Sequence, residues 1–252
     1  KIAIEQKVTG IKLNTSLVTL YTPNTYQLKA SITPANATNK KVTWTTSNTN
    51  IASISSSGIV TAKAAGSATI TARASNGKTT KCTIHVNQNN VYIADGTYAF
   101  TSPDARYALT APGSQAFTKL NIQPNGDYNA QYWNLQNIGG NAFILRSQLD
   151  NNKVVDIYHI HSDYITAASQ YETPPTYYGH VEGHAYLNPY TDPMADEWQA
   201  MKLYDGTYVI KLKQYPDFKL TRGGDYDASG NSVYLYHWNA WQQTYWKLIK
   251  VF

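Results

Sequence analysis

Three tryptophans, Trp133, Trp198 and Trp246, close three segments that can be laid over one another along the chain. Eleven residues before each stands an apolar residue: Ile122, Leu187 and Leu235. Two segments open alike, with Asp95-Gly96-Thr97-Tyr98 and Asp205-Gly206-Thr207-Tyr208, and the middle one opens more loosely at Asn141-Ala142-Phe143. Inside the first and third come Tyr107-Ala108-Leu109-Thr110 and Phe218-Lys219-Leu220-Thr221, with Lys153-Val154-Val155-Asp156 in that place in the second. A period of roughly fifty residues means one supersecondary unit repeated, each copy unable to bury its apolar face alone. The three copies must therefore close on a shared core.

Short alternating strands in each copy predict a β-trefoil over residues 89–252, with lobes near 91–139, 140–203 and 204–252. An insertion around Tyr171 to Gly183 lengthens the middle lobe. Residues 1–88 carry a different pattern. Tyr26, Leu28, Ala30 and Ile32 alternate with polar residues, as do Ile70 with Ala72 and Ile84 with Val86. Gly58 and Gly66 stand at breaks where positive φ is easy, and Pro34 ends a strand. About seven strands in this length, with Trp44 as the segment's one tryptophan to anchor a core, predict an Ig-like β-sandwich. The polar run Asn87-Gln88-Asn89-Asn90 reads as the linker. The fold class expected is all-β.

Charge divides at the same place. Residues 1–88 hold ten Lys and Arg against one acid, Glu5, and residues 89–252 hold eleven basic and fifteen acidic residues. A split this sharp favours two domains with different surfaces. The basic segment suits contact with an anionic cell envelope, but solubility alone also explains it and is the favoured reading, since net charge speaks to non-specific association. Nucleic acid is not expected as a partner, because no Lys cluster is interleaved with aromatics on one strand. No apolar run approaches the roughly 18 residues of a membrane span, so no membrane insertion is expected. The lone Cys82 excludes an intramolecular disulfide framework and reads as a small buried hydrophobe in a strand. The chain opens at Lys1 without Met or signal peptide, and reads as a piece of something longer.

The N-terminal segment resembles the bacterial Ig-like group 2 domain. The matching residues are Val8-Thr9-Gly10-Ile11, Ser31-Ile32-Thr33-Pro34-Ala35-Asn36-Ala37-Thr38-Asn39-Lys40-Lys41-Val42-Thr43-Trp44, Gly58-Ile59-Val60-Thr61-Ala62 and Ala65-Gly66-Ser67-Ala68-Thr69-Ile70-Thr71. The segment departs at Thr22-Pro23-Asn24, where the family usually has a glycine turn. The resemblance implies a secreted or bacterial cell-surface module acting as a spacer or in adhesion.

The C-terminal segment resembles the ricin-B type of lectin trefoil, whose repeat ends in Gln-x-Trp. Gln131-Tyr132-Trp133 keeps that motif, whereas Asp196-Glu197-Trp198 and Thr244-Tyr245-Trp246 keep only the Trp. In that family a lobe holds sugar through an aspartate on an early strand, an aromatic stacked on the ring and an Asn near the closing motif. Residue by residue, the resemblance gives Asp156, Asn188 and Ala195 in the second lobe, and Thr221, Tyr236 and Gln243 in the third. The first lobe has Thr110, Gln123 and Ala130 and looks blank. No lobe is complete. The third also gathers Tyr234, Tyr236, Trp238, Trp241 and Tyr245 around Asn239, Gln242 and Gln243, and clustered aromatics outside a core usually mark a binding surface. The expected carbohydrate site is therefore Tyr234, Tyr236, Asn239, Trp241 and Gln243, with Tyr236 and Trp241 stacking, Asn239 and Gln243 as hydroxyl partners, and Asp156 as a second, weaker site.

Other constellations carry less. His159-x-His161 and His180-x-x-x-His184 offer zinc-compatible spacing, but a polar, Tyr-rich insertion explains them better. Asp225 to Asn231 imitates an EF-hand opening, yet Tyr236 stands where a bidentate Glu is required, so a turn is expected. No nucleophile elbow, phosphate loop or adjacent His–nucleophile pair is present. The expectation is a non-catalytic, cofactor-free and metal-free module, either on its own or ancillary to a larger secreted enzyme, that binds a glycan or polysaccharide. The alternative is a scaffold whose trefoil binds protein or joins neighbouring modules. Expressed separately, residues 1–88 and 89–252 should each fold cooperatively; aggregation or disorder in both pieces would place the boundary elsewhere.

Overall fold

The computed structural model describes residues 5–114, 118–126, 129–157, 183–189, 197–213, 216, 218–223, 229–231, 233–236 and 244–251, with backbone alone for 118, 156–157, 183–189 and 234–236. Strands dominate, and the one helical element among the described residues is a short 3-10 turn at Asn129–Gln131. Contacts divide the chain into two units, Lys1–Asn89 with Lys202–Gly206, and Asn90–Met201 with Thr207–Phe252.

The first unit is an Ig-like sandwich. Val42–Thr46, Gly66–Ala74 and Thr79–Val91 form an antiparallel sheet in that order, and Leu17–Tyr21 joins Thr79–Val91 in parallel. Ile59–Ala62 lies between Thr25–Gln27 and Ala52–Ile54 in a second sheet, and Gly10–Leu13 pairs with Ala30–Thr33. Alternation assigns the faces: Ala68, Ile70 and Ala72 with Cys82, Ile84 and Val86 are buried in the core, while Ser67, Arg73 and Lys81 face out. Cys82 is fully buried, and burial raises its thiol pKa. The long alternating run of Tyr26 to Ile32 is two strands rather than one, since the chain leaves the strand ending at Gln27 and re-enters at Ala30 with another partner. Trp44 is only half-buried at the margin of the core, so the aliphatic residues, rather than a central indole, fill this sandwich. Gly58, at φ 87°, is required twice over: a Cβ there would meet the Leu28 carbonyl at 2.6 Å and the Trp44 ring at 3.0 Å.

The run Asn87 to Asn90 contains the division between the units, but it is strand rather than a free linker. It continues the strand Thr79–Val91, with Asn87 buried and its carbonyl accepting from the Thr22 N–H at 3.0 Å. Polar composition misled here because a backbone ladder satisfies polar residues as readily as water does.

The second unit is a β-trefoil of four principal strands per repeat. These are Gly96–Thr101, Tyr107–Thr110, Asn121–Pro124 and Tyr132–Gly139; then Ala142–Ser147, Lys153–Ile157, Gly183–Pro189 and Trp198–Lys202; then Tyr208–Leu212, Lys219–Arg222, Val233–Tyr236 and Tyr245–Lys250. In every repeat the closing Trp is the register partner of the opening aromatic: Tyr98 with Trp133, Phe143 with Trp198, Tyr208 with Trp246. The inner hairpins repeat too, pairing Leu109 with Ile122, Val155 with Leu187 and Leu220 with Leu235. All three indoles are fully buried, and each N–H donates to the carbonyl of its hairpin: Trp133 to Leu109 at 3.1 Å, Trp198 to Val155 at 3.2 Å, Trp246 to Leu220 at 2.8 Å. Buried indole nitrogens must find an acceptor, and these find equivalent ones.

Carboxylates tie the turns of this unit. Asp104 accepts from the Ser102 hydroxyl and the Arg106 backbone N–H, which hold its pKa down to about 2, with the Arg106 guanidinium adding less. Asp95 is lowered by the Asn137 backbone N–H, then by the Asn137 side chain. A depressed carboxyl contributes stability that is complete above the unfolded-state pKa, near pH 4, and is lost as pH falls through the folded value. The melting temperature should therefore drop between about pH 4 and pH 2, and Asp104→Asn should shrink that drop; an unchanged acid limb would contradict the assignment. Replacing Trp133, Trp198 or Trp246 singly by Phe orphans a buried carbonyl, so each should cost about 1–3 kcal/mol in denaturant unfolding, similarly in all three. A cost confined to one of them would contradict the equivalence of the repeats.

Candidate functional site

The indole bonds fix which hairpin position is which. Immediately after the carbonyl that receives the indole stand Thr110, Asp156 and Thr221, whose register partners are Asn121, Tyr186 and Tyr234. Directly opposed residues in an antiparallel pair share a face and lie within side-chain reach. These three pairs are the same place in the fold with different chemistry in each.

In the first repeat the threonine is already engaged. Thr110 is buried and donates its hydroxyl to the Ala108 carbonyl at 2.9 Å, while accepting from the Gln131 side-chain amide at 3.2 Å. Gln131, itself buried, also donates to the Pro124 carbonyl and accepts from the Gly126 N–H. Gln123 accepts from the Ser229 hydroxyl at 2.7 Å. Thr110, Gln131 and Gln123 are thus bonded within the protein, whereas the buried Oδ1 of Asn121, across from Thr110, has no hydrogen-bond partner among the described residues.

The third repeat repeats part of that arrangement. Thr221 is buried and donates to the Lys219 carbonyl at 2.9 Å. Tyr234 and Tyr236 lie on the strand Val233–Tyr236, opposite Thr221 and Lys219 respectively, with Val233 fully buried in the core. Asn239, Trp241 and Gln243 lie outside the described residues, as does Trp238. The backbone thus brings Tyr234 and Tyr236 to one hairpin.

The second repeat differs in kind. An ionised aspartate has no hydroxyl proton to give its own backbone, so the self-satisfying bond of Thr110 and Thr221 is unavailable at position 156. The register sets Asp156 opposite Tyr186, an aromatic that alignment to the closing Trp passes over because it selects Asn188, two residues on. Strand pairing supplies the signal that linear spacing lacked.

Arg222 is the other residue that sequence reasoning missed. It holds the place of Ala111 and Ile157 in the sister repeats, it is buried, and its guanidinium lies 5.0 Å over the Trp246 ring while donating to the Tyr245 carbonyl. A charged residue at an inward position of the Leu220-Thr221-Arg222 alternation was the available sign.

His159, His161 and His180 lie outside the described residues, and of His184 the backbone alone is described, paired with Tyr234. Among the described residues no group of three or more His, Cys, Asp or Glu is placed to hold a metal ion. Of the Asp225 to Asn231 stretch, Ser229, Gly230 and Asn231 are described. They bond to Gln123, to the Ile122 carbonyl and to the Gly223 carbonyl, as turn residues do.

Residues 7–84 match the bacterial Ig-like domain (group 2) family. The kappa-carrageenase of Pseudoalteromonas carrageenovora is 42% identical over 81 residues, which are 32% of this chain and 20% of that protein. An Ig-like virion protein of Serratia phage KSP90 is 37% identical over 82 residues, 32% of each chain. This chain therefore spans a third or less of the length of these curated relatives. Among solved structures, the designed threefold-symmetric protein ThreeFoil is similar over 62% of this chain and all of its own, at 15% identity and a TM-score of 0.51. A ricin B-like lectin of Macrolepiota procera, solved with lactose, is similar over 64% of this chain and all of its own, at 17% identity and a TM-score of 0.48. At such identities the likeness is one of fold.

Arg222 joins the hairpin of the third repeat to its closing strand, so its loss should loosen both. Arg222→Ala is expected to destabilise the protein by about 1–3 kcal/mol in denaturant unfolding. An unchanged midpoint would show that the guanidinium bond to Tyr245 holds nothing in place.

Proposed function

We propose that this chain is a non-catalytic carbohydrate-binding module of a secreted or bacterial cell-surface protein, in which an Ig-like spacer accompanies a trefoil whose second and third repeats take a glycan. The observation that carries the reading is the set of equivalent hairpin pairs. Thr110 in the first repeat is spent on internal hydrogen bonds, whereas the second repeat sets an acid, Asp156, opposite an aromatic, Tyr186. An aromatic face takes the C–H groups of a sugar, and a carboxylate accepts from its hydroxyls. In the third repeat Tyr236 and Trp241 stack, and Asn239 and Gln243 meet hydroxyls, with Tyr234 beside them.

The match to kappa-carrageenase, at a fifth of that protein's length, supports a module that travels between larger proteins rather than a catalytic unit. The engaged Thr110 of the first repeat favours the alternative for that lobe alone: there the trefoil serves as scaffold, joining modules or meeting protein.

A glycan array probed with the full chain tests the reading. Retention on at least one glycan is expected. Asp156→Asn and the pair Tyr236→Ala with Trp241→Ala should each reduce it about ten- to a hundredfold, the scale of a lost hydrogen bond to a charged group or of a stacking contact, with melting temperature preserved. No retention on any glycan would sink the proposal and leave the scaffold reading. Equal retention by the folded variants would move the site elsewhere on the trefoil.

A further inference from the structure

The cations of the first unit are scattered in sequence but not in space. Three separate segments meet at one end of the sandwich, and side chains tie them together. The Gln6 N–H donates to the Thr38 hydroxyl at 2.8 Å, and the Thr38 N–H donates to the Gln6 carbonyl at 2.9 Å. The Asn76 amide donates to the Val8 carbonyl at 2.7 Å, and the Ser75 hydroxyl donates to the Asn39 carbonyl at 2.9 Å. Asn39 in turn accepts from the Lys41 N–H at 3.0 Å, and Asn76 from the Lys78 N–H at 3.1 Å. Beneath them Val8, Ala37 and Ala74 form a small apolar cluster of their own, with Ile11 and Ile32 packed against it.

This fastening gathers Lys7, Lys40, Lys41, Arg73, Lys78 and Lys81, all exposed, six of the nine Lys and Arg among residues 5–89. Glu5 is the one carboxylate in that span. No ion pair among the described residues engages any of the six. The adjoining sheet face is hydroxylated: Thr43, Arg73 and Thr79 make one cross-strand row, and Thr45, Thr71 and Lys81 make the next. Neighbouring strands lie about 4.8 Å apart, and the diagonal from Arg73 to Lys81 spans about 7–8 Å. Gathering like charges on a rigid frame costs folding stability through self-repulsion. A bound polyanion offsets that cost.

We propose that this basic pole of the Ig-like unit is a second binding surface, for an anionic polysaccharide bearing sulfate or phosphate esters. Lysine point charges and threonine hydroxyls suit ester oxygens presented at many positions along a flexible polymer. The three segments carry no exposed aromatic, so they lack the stacking platform that single-stranded nucleic acid requires. They carry no helix to enter a duplex groove, and the pair Gly66–Ala74 and Thr79–Val91 is held in a sheet between Val42–Thr46 and Leu17–Tyr21 rather than standing free as a two-stranded ribbon. The surface is independent of the trefoil hairpins, and its failure would leave the carbohydrate reading of those hairpins standing.

The test compares two variants of the full chain that lose the same charge. One, K41Q/R73Q/K81Q, strips the pole; the other, K12Q/K29Q/K63Q, strips three cations outside the tied segments. Each is measured for binding to sulfated dextran, phosphorylated dextran, plain dextran and a duplex DNA of random sequence, over a range of salt. The wild type should bind one or both esterified dextrans with an affinity that falls steeply with salt, and the tighter of the two names the ester. The pole variant should lose at least about tenfold and lower the logarithmic salt slope by roughly 2, while the control keeps most of its affinity. Equal losses in both variants would reduce the effect to net charge and overturn the assignment. So would tighter binding of duplex DNA than of either polymer, retention on plain dextran that matches the esterified forms, or no binding at all.

Discussion

The second unit depends on one contact made three times: a buried indole N–H given to the carbonyl of its own repeat's hairpin. The indole fills the core, and its nitrogen decides where the hairpin stands. Leu109, Val155 and Leu220 are held at one depth by Trp133, Trp198 and Trp246, and the residue following each is thereby delivered to an equivalent position. With the backbone fixed, that next residue differs between the repeats: Thr110, Asp156 and Thr221. Threonine there satisfies itself through the carbonyl two residues back, and aspartate cannot. The repeats are thus alike at the indole bond and different in chemistry at the residue that follows it.

That division explains what the sequence made readable. Tryptophan spacing gave the repeat and the equivalence of Ile122, Leu187 and Leu235, because a residue that must be buried cannot drift in register. Alternation in Gly66–Ala74 and Thr79–Val91 gave the sandwich faces for the same reason. Tyr186 escaped notice because spacing along one strand does not say which residue lies across from Asp156; pairing does. Arg222 escaped because one strand's sequence does not show which groups will receive a charge; here a carbonyl and an indole face receive the guanidinium. The linker run Asn87 to Asn90 falls at the division between the units, and it is strand there, with Asn87 buried, because a backbone ladder accepts polar side chains. Tyr234 and Tyr236 lie on one strand of the third hairpin, while Asn239, Trp241 and Gln243 lie outside the described residues.

The basic pole illustrates the opposite limit. Lys7, Lys40, Lys41, Arg73, Lys78 and Lys81 form no cluster in sequence, and nothing in their spacing foretells one. They meet because Gln6, Thr38, Asn39, Ser75 and Asn76 trade hydrogen bonds across three segments. Small polar residues, individually unremarked, thereby set the charge pattern of the surface. On the two proposed readings, the units divide the labour of recognition: neutral sugar chemistry on trefoil hairpins, and long-range, salt-sensitive attraction on the sandwich.

The central claim is that equivalent hairpins differ in what they leave available to a sugar. Amide chemical shifts of the labelled full chain, followed during titration with a glycan that it retains, test this most directly. Shifts at Lys153–Ile157, Gly183–Pro189 and Val233–Tyr236, with Tyr107–Thr110 and Asn121–Pro124 silent, are the predicted result. Shifts centred on Thr110 and Asn121, or spread evenly over all three hairpins, would contradict it.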